Sequence, residues 1–283
     1  MTHPAIAAGR TAVIVGAASG IGLAAARAFA GRGLKVCLAD LGGEALDGAA
    51  RALAESGAEV LAVATDASQP GDLERLREAV YGRFGEVGVL MNNAGVGVGA
   101  GAWEHPDRWR SLMAVNLWGV ISGVQAFTSA MLAQGTPCAI INTGSKQGIT
   151  NPPGNLAYNV SKAGVKALTE GLAHELRNVA GGQVSAHLLI PGFTFTGMTR
   201  SGGGEKPPGA WTADQVATFM IEEMGKGSFY ILCPDNDVTR QMDEKRIQWA
   251  ADDLILNRPA LSRWHMDHKA AFEAFMSQSP PAR

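Results

Sequence analysis

Short apolar runs alternate with helix-like stretches through most of this chain, and this alternation constrains its fold more than any other feature. The apolar runs are rich in the residues typical of strands buried on both faces, and the stretches between them are long enough for crossover helices. Strands joined in this way run parallel. The sequence therefore predicts an α/β fold with a doubly wound parallel sheet of about seven strands and helices on both faces. The predicted strands are Thr11–Val15, Leu34–Ala39, Glu59–Ala64, Val87–Met91, Ala139–Thr143, Val184–Leu189 and Ser228–Cys233.

The stretches between the strands have helical spacing of apolar residues. They predict an alanine-rich helix that ends near Gly31, and further helices over the ranges Glu44–Ser56, Gly71–Phe84, Pro106–Ala133, Leu156–Leu176 and Asp235–Leu256, with Asp235 or Asn236 as the cap of the last. We expect residues 1–283 to form a single domain, with residues 235–283 as a helical C-terminal extension. That extension covers either its own sheet edge or the active site of a neighbouring subunit.

Composition excludes several classes of protein. With 46% hydrophobic and 18% charged residues the chain is not disordered, and a formal net charge of -2 argues against nucleic acid or an anionic membrane as a partner. We find no run of about 20 apolar residues and no secretory signal pattern. The cysteines, Cys37, Cys138 and Cys233, are scattered and odd in number, so neither a disulfide framework nor a metal site is expected. A reducing cytoplasm fits best.

A glycine-rich turn follows the first predicted strand and opens the first helix. Gly16, Ser19, Gly20, Ile21 and Gly22 would let the backbone approach a pyrophosphate at the amides of the helix N-terminus, although such a turn also serves simply for close packing.

An acid closes the next predicted strand. Asp40 lies where a carboxylate would accept hydrogen bonds from an adenosine ribose, with a surface-turn residue as the alternative. A carboxylate there would repel a 2'-phosphate, and the turn carries no Arg or Lys. NAD is therefore favoured over NADP.

Tyr158 and Lys162 are four residues apart on a predicted helix and so share one face. A nearby ammonium favours the phenolate and lowers the pKa of a tyrosine, which would make the pair a proton-transfer device. A YxxxK spacing alone is common, and it equally describes a surface helix with a solvated lysine.

Taken together, the motifs resemble the short-chain dehydrogenase/reductase family over about residues 10–200. The resemblance rests on Gly16-x-x-x-Gly20-Ile21-Gly22, Asn92-Asn93-Ala94-Gly95, Asn116, Ser145, Tyr158-x-x-x-Lys162 and Pro191-Gly192. It implies a Rossmann-type sheet and hydride transfer between nicotinamide and a carbinol carbon. By resemblance, Ser145 holds the substrate oxygen, Tyr158 exchanges its proton, Lys162 lowers the pKa of the tyrosine and binds the nicotinamide ribose, and Asn116 holds a water linked to Lys162.

The same resemblance assigns further cofactor contacts. Asp66 would meet the adenine, Asn93 with Ala94 and Gly95 would back the adenosine ribose, and the segment Pro191, Gly192, Thr194 and Thr196 would meet the nicotinamide. Asp66 could instead cap the following helix, and Thr196 could be an ordinary loop residue. The chain departs from the family at Val15, where a threonine is usual and would tie the glycine turn to the Asn-Asn strand. It also continues for about 50 residues beyond the last predicted strand.

Residues 194–215 contain Gly202-Gly203-Gly204 and Pro207-Pro208, and in the family this region covers the substrate. It is either a mobile lid or an unstructured surface loop. Candidate substrate contacts are Trp103, Gln147, Asn151, Phe193, Phe195, Met198 and Trp211. Large aromatic residues more often belong to the core, but together these suggest a hydrophobic or aromatic substrate. His265 and His268 have no third ligand nearby, so we expect no metal.

Three functions remain open from the residues. The first is an NAD-dependent oxidoreductase acting on a secondary alcohol or its ketone. The second is a dinucleotide-binding regulator or scaffold without catalysis, and the third is an isomerase or lyase on the same fold. The resemblance also implies a homodimer or homotetramer that pairs through the helices Pro106–Ala133 and Leu156–Leu176. The second helix carries the small or apolar residues Ala163, Val165, Ala167, Leu168 and Leu172, which are equally compatible with core packing.

Overall fold

In the computed structural model, which describes residues 2–199, 205–234 and 237–278, seven parallel strands form one sheet. The sheet strands are β1 (Thr11–Val15), β2 (Lys35–Asp40), β3 (Val60–Ala64), β4 (Val89–Asn92), β5 (Cys138–Thr143), β6 (Val184–Ile190) and β9 (Tyr230–Leu232). Their order across the sheet is β3-β2-β1-β4-β5-β6-β9, and every neighbouring pair is parallel, so the predicted doubly wound sheet is confirmed. A short separate pair is formed by β7 (Thr194–Phe195) and β8 (Trp211–Thr212).

Helices cover both faces of the sheet, and the side-chain alternation of β1 shows why. Ala12 and Ile14 face one apolar cluster, while Val13 and Val15 face the other. The first cluster packs under α1 (Gly20–Ala30), α2 (Glu44–Glu55) and α8 (Ala213–Gly225), and the second under α3 (Pro70–Phe84), α5 (Gly119–Ala133) and α7 (Leu156–Arg177). Phe29 and Phe127 are fully buried, one on each face, and each contributes about 1.5–3 kcal/mol by burial alone.

The long helix predicted over residues 106–133 is continuous but changes type within its length. It consists of α4 (Pro106–Met113), a π-helical segment (Ala114–Trp118) and α5. By length and composition alone this stretch would suffice to cross a bilayer. Its Phe127 and Met131 are fully buried in the core, as in the core helix of a water-soluble protein, so the stretch is weak evidence for a membrane span.

The segment between β6 and β9 is partly ordered by a helix that the sequence patterns did not single out. Thr212 caps α8 with a reciprocal capping box, in which its side chain accepts from the Gln215 amide and the Gln215 side chain accepts from the Thr212 amide. Of the predicted lid, residues 194–215, the structure describes 194–199 and 205–215, which include β7, β8 and the start of α8. Gly202, Gly203 and Gly204 lie outside the described residues.

The C-terminal extension is helical, as predicted, with α9 (Arg240–Ile255) and α10 (Lys269–Ser277) joined by two 3-10 turns. Asp235 and Asn236, the predicted caps, lie outside the described residues, and the helix begins later, where Thr239 caps it by accepting from the Met242 amide. Ile247 packs on the cluster around Leu232, so α9 covers the β9 side of its own chain.

The glycine turn brings two stretches of backbone into direct contact. A Cβ on Gly22 would lie 1.9 Å from the Gly16 carbonyl oxygen, and a Cβ on Gly16 would lie 2.6 Å from the Ala94 backbone. Asn93 ties the turn to β4, because its amide donates to the Val15 carbonyl (3.0 Å) and its side chain donates to the Gly16 carbonyl (3.0 Å). These bonds tie the turn to the strand of Asn92 and Asn93 without a hydroxyl at position 15.

We expect Gly22→Ala to lower the free energy of unfolding by about 2 kcal/mol, since an inserted methyl in a closed contact forces the backbone apart. At about 2–4 °C per kcal/mol for a chain of this size, the melting temperature should fall by roughly 5 °C. Gly48→Ala is the matched control, because Gly48 lies inside α2 with open space at its Cβ position, and alanine there should leave stability unchanged or raise it. Equal melting temperatures for both variants would contradict the contact.

A chain of hydrogen bonds anchors the N-terminal segment at the opposite end of the sheet from the glycine turn. The Ala5 amide donates to His3 Nδ1 (3.2 Å), Ser185 Oγ lies between His3 Nε2 (3.2 Å) and His187 Nε2 (3.0 Å), and His187 Nδ1 lies 2.9 Å from the Ser228 carbonyl. One consistent direction of donation runs through all four contacts when both imidazoles are neutral. Burial lowers the pKa of His187, and burial together with the neighbouring His187 lowers the pKa of His3 to about 4.

This anchor should weaken in acid. A histidine whose pKa is lowered in the folded state contributes stability above about pH 6.5 and loses it as the pH falls towards 4, because the unfolded chain then binds more protons. His3 is only half-buried, so solvent screening reduces its contribution to about 1–2 kcal/mol. Urea unfolding at pH 7, 6 and 5 should show a shallower pH dependence in His3→Gln than in the wild type. The exposed His174→Gln should keep the wild-type slope, and a wild-type slope in His3→Gln would refute the anchor.

Candidate active site

The carboxyl ends of the parallel strands meet at one edge of the sheet and surround a cavity of about 580 Å³. The cavity lies where the connections from β1 and β4 leave in opposite directions, which is the usual ligand position in such sheets. Every residue predicted to bind the cofactor lines this cavity except Gly22, which lies behind the turn against Gly16. Ser145 also lines it, and Asn116 is buried outside its wall.

Asp40, at the end of β2, is held firmly at the cavity wall. Its Oδ2 accepts from the Ala18 amide in the glycine turn and its Oδ1 accepts from the Leu41 amide, both at 2.8 Å. A carboxylate has about four acceptor positions, so two remain for a ligand hydroxyl pair. Among the described residues that line the cavity, Lys162 is the single basic side chain.

Asp66 lines the cavity after β3 and also shapes its own loop. Its Oδ1 accepts from the Ser68 amide (2.9 Å) and from the Ser68 hydroxyl (2.7 Å), while the Asp66 amide donates to Asp72. The following helix α3 has Gln69 at its N-cap position, so Asp66 is not the cap that the sequence allowed as an alternative.

Ser145 and Tyr158 meet at the wall of the cavity through their hydroxyl groups. Ser145 follows β5 and its Oγ accepts from the Gln147 amide (3.2 Å), while Tyr158 lies in the first turn of α7. Burial raises the pKa of Tyr158, and the hydrogen bond from Ser145 lowers it by a smaller amount.

Lys162 lies one turn further along α7 and is buried. Its Nζ donates to the Thr143 carbonyl at 2.8 Å and lies 5.7 Å from the centroid of the Tyr158 ring. Burial lowers the pKa of this ammonium to about 8. Burial is thus the largest influence on the pKa of both groups, and the lowering of the tyrosine pKa by Lys162 stays a prediction.

Asn116 lies in the π-helical segment, and its fully buried side chain binds the backbone of the irregular segment that follows β4. Its Oδ1 accepts from the Val96 amide (2.7 Å) and its Nδ2 donates to the Val96 carbonyl (2.9 Å). This pair of bonds fixes the segment Gly95–Val98 that follows β4 along the cavity wall. Local π-helical turns of this kind occur often at functional sites.

The cavity has features that fit a dinucleotide. Ser19, Gly20 and Ile21 line it at the N-terminus of α1, where the first amides of a helix have no intrahelical acceptor and no side chain that the structure describes caps them. Thr194, at the other side, lines the cavity with a buried Oγ1 that has no hydrogen-bond partner among the described residues. A buried hydroxyl without a partner is costly, and a polar ligand group would satisfy it.

The predicted substrate residues are not brought together. Met198 lines the cavity and lies over the cleft segment, with its Cγ 3.3 Å from the Cβ position of Gly97. Trp103 is 88% exposed, and Trp211 packs edge-on against Phe219 beside the core. The other candidates also lie outside the cavity lining: Gln147, Asn151, Phe193 and Phe195.

Several lining residues were missed by the sequence analysis. Val96, Gly97 and Val98 follow the Asn-Asn-Ala-Gly motif, and Val115 precedes Asn116. Each is adjacent to a recognised motif residue, so extending the motifs by one to three positions would have found them. Their small or apolar side chains carry no chemical signal of their own.

Known proteins resemble this chain in both sequence and structure. A family model described as short chain dehydrogenase matches residues 10–206. The 1-deoxy-11-beta-hydroxypentalenate dehydrogenase of Streptomyces exfoliatus is 34% identical over 263 residues, which cover 90% of this chain and 94% of that protein.

Two solved structures show the same fold with different dinucleotides. A short chain dehydrogenase/reductase from Burkholderia phymatum in complex with NAD superposes with a TM-score of 0.81 at 35% identity, covering 91% of this chain and 97% of that one. A metagenomic short-chain oxidoreductase in complex with NADP gives a TM-score of 0.67 at 30% identity, covering 81% and 98%. The family match, together with the cavity at the carboxyl ends of the strands, identifies the chain as a member of the short-chain dehydrogenase/reductase family, an oxidoreductase whose fold binds a nicotinamide dinucleotide.

Proposed function

We propose that this protein is an NAD-dependent dehydrogenase or ketoreductase that acts on a hydrophobic secondary alcohol or its ketone. The observation that carries the proposal is the Ser145–Tyr158 hydrogen bond at the cavity wall, with the buried Lys162 one helical turn away. A binding module without catalysis has no use for a desolvated phenol and ammonium at its ligand site. This set of groups therefore supports an enzyme over a regulator or scaffold.

A nicotinamide dinucleotide held along the glycine turn and Asp40 would supply or accept the hydride at the carbinol carbon. Ser145 donates a hydrogen bond to the substrate oxygen, and Tyr158 gives that oxygen a proton during reduction or takes the proton during oxidation. Negative charge develops on the oxygen as hydride reaches a carbonyl, so both donors bind the transition state more strongly than the ground state. Lys162 then restores the protonation state of Tyr158 and holds a cofactor hydroxyl, with Thr143 as the acceptor that positions its Nζ.

The environment of Asp40 supports NAD over NADP. Its carboxylate is fixed by two backbone amides at the wall, and a 2'-phosphate placed beside it would meet like charge. Among the described residues, the cavity lining near Asp40 includes Leu41, Ser19 and Gly20, and none of these side chains carries a positive charge.

The walls of the cleft support an apolar substrate. Val96, Val98, Val115 and Met198 give the lining of the cavity an apolar part. Apolar walls with a few directed polar groups are typical of sites that orient a hydrophobic ligand. The relatives named for a hydroxypentalenate and, in Eggerthella lenta, for a 3beta-hydroxysteroid agree with this class.

We also propose assembly into a homodimer or homotetramer through the long helices. Trp118, Leu156 and Val160 are 59%, 39% and 41% exposed on these helices, which leaves apolar area for a partner. Of the small or apolar residues on α7, Val165 and Leu172 are buried in the core of their own chain, so they leave little area for a partner subunit. Cys37, Cys138 and Cys233 are buried and form no disulfide with one another, which agrees with a reducing compartment such as the cytoplasm.

Tyr158→Phe should bind NADH as the wild type does and should lose turnover by about 10²–10⁴-fold, the range of general acid–base catalysis. The measurement is nicotinamide absorbance during incubation with NAD and a panel of aromatic, alicyclic and steroid-like secondary alcohols. Tyr81→Phe is the matched control, because it removes a phenol hydroxyl that binds Gln134 outside the cavity lining. Wild-type turnover in Tyr158→Phe would refute the mechanism, and product formed without net change in the nicotinamide would indicate an isomerase or lyase.

Asp40→Ser should weaken NAD binding by about 10–100-fold, since hydrogen bonds to a charged group are worth roughly 1.5–3 kcal/mol. The same change should improve NADP binding, because the like charge is removed. Fluorescence titration with NADH and NADPH measures both affinities. Asp47→Ser makes the same change of charge on the exposed face of α2 and should alter neither, whereas an unchanged NADH affinity in Asp40→Ser would count against the assignment.

A further inference from the structure

The C-terminal extension lies beyond residues 10–206, which match the family model, and forms a packed unit of its own. Trp249 of α9 is buried, and the Arg258 guanidinium carbon lies over its indole, 4.0 Å from the ring centroid. Phe272 and Phe275 of α10 pack against the same indole, each with centroids 5.3 Å apart. Arg258 also forms an ion pair with Asp253 at 2.9 Å.

This extension contacts the active-site loop through a buried ion pair. Asp243, in the first turn of α9, lies 2.6 Å from the Nζ of Lys146, the residue next to Ser145. The two side chains are 6% and 15% exposed. Side chains buried to this degree have lost much of their hydration, so breaking the ion pair between them is costly.

The loop that carries Ser145 is held on two other sides by backbone contacts. The Lys146 amide donates to the Pro191 carbonyl at 3.2 Å. Gly148 lies directly against α7, where a Cβ would be 2.5 Å from the carbonyl carbon of Lys162. The helix α6 (Gln147–Thr150) spans a single turn, which is too short to be stable without such external contacts.

We propose that Asp243 is a positioning residue, which acts through Lys146 to hold Ser145 at the correct distance from Tyr158 and the substrate oxygen. This inference rests on the function proposed above and adds the extension to the structure of the active site. A small displacement of a group that orients the reacting atoms costs a large factor in rate while binding elsewhere is unaffected. The effect should therefore appear in kcat and not in the affinity for the dinucleotide.

The test compares two variants that each remove one carboxylate charge from α9. Asp243→Asn should lower kcat by about 10–100-fold with the Kd for NADH unchanged, and should accelerate hydrogen exchange of the amides in residues 147–150. Asp253→Asn breaks the Arg258 ion pair in the same helix and should lower the melting temperature with kcat unchanged. Equal losses of kcat in both variants would overturn the proposal, because general loosening of the extension would then explain them.

A double variant separates loss of position from loss of charge. Lys146→Met with Asp243→Leu replaces both partners by apolar residues of similar volume, a change that buried ion pairs often tolerate. We expect the pair to recover most of the kcat and the exchange protection that either single variant loses, a non-additive result. Wild-type kcat and exchange in Asp243→Asn would overturn the inference. If the wild type oxidises none of the alcohols, the proposed function fails, whereas the exchange experiment still decides whether Asp243 holds the loop.

Discussion

Parallel strand pairing is the constraint on which the rest of this structure depends. Because each crossover returns the chain to the same end of the sheet, six successive strands deliver their following loops to one edge, where the glycine turn, Asp40, Asp66, Asn93, Ser145 and Pro191 all lie. The closest approach at that edge is between backbones, with no room for a side chain at Gly16 or Gly22. The cavity forms because these loops diverge beyond the sheet, while the backbone at the start of the loops after β1 and β4 is in direct contact.

A buried polar network connects this edge to the helix that carries the reactive pair. Asn92 donates to Asn142 at 2.9 Å, and Asn142 donates to Thr169 of α7 at 3.1 Å, so β4, β5 and α7 are joined side by side. Gly123 of α5 gives the network space, since a Cβ there would lie 2.1 Å from the Asn92 side chain. In a low-dielectric interior such bonds fix one arrangement, because any displacement leaves a polar group without a partner. This network fixes the position of α7, and therefore of Tyr158 and Lys162, relative to β4 and β5.

The sheet and most of the motif residues could be predicted from the sequence, because apolar strand runs, glycine turns and a YxxxK spacing are patterns within short stretches of the chain. Tertiary packing did not override them in this fold. The substrate contacts could not be predicted, because tertiary packing decides where an aromatic side chain lies. The sequence does not distinguish Trp103, which faces solvent, or Trp211, which packs beside the core, from an aromatic residue that lines a cavity. The helix α8 was missed beside a Gly- and Pro-rich stretch that suggested irregular structure. The ion pair between Lys146 and Asp243 joins residues 97 positions apart, which no local pattern reveals.

Stability does not account for Lys162. A buried ammonium that donates to a backbone carbonyl has lost most of its hydration, and this desolvation lowers its pKa to about 8. An apolar side chain of similar length would pack beside Gly95 and Thr143 at lower free energy. The same burial raises the pKa of Tyr158, so the two groups are both displaced towards their neutral forms, within one helical turn and beside the Ser145 hydroxyl. The lowered pKa of Lys162 moves this group towards the operating pH, where proton transfer is most efficient, whereas the raised pKa of Tyr158 keeps the phenol protonated, the form that can donate to a carbonyl oxygen.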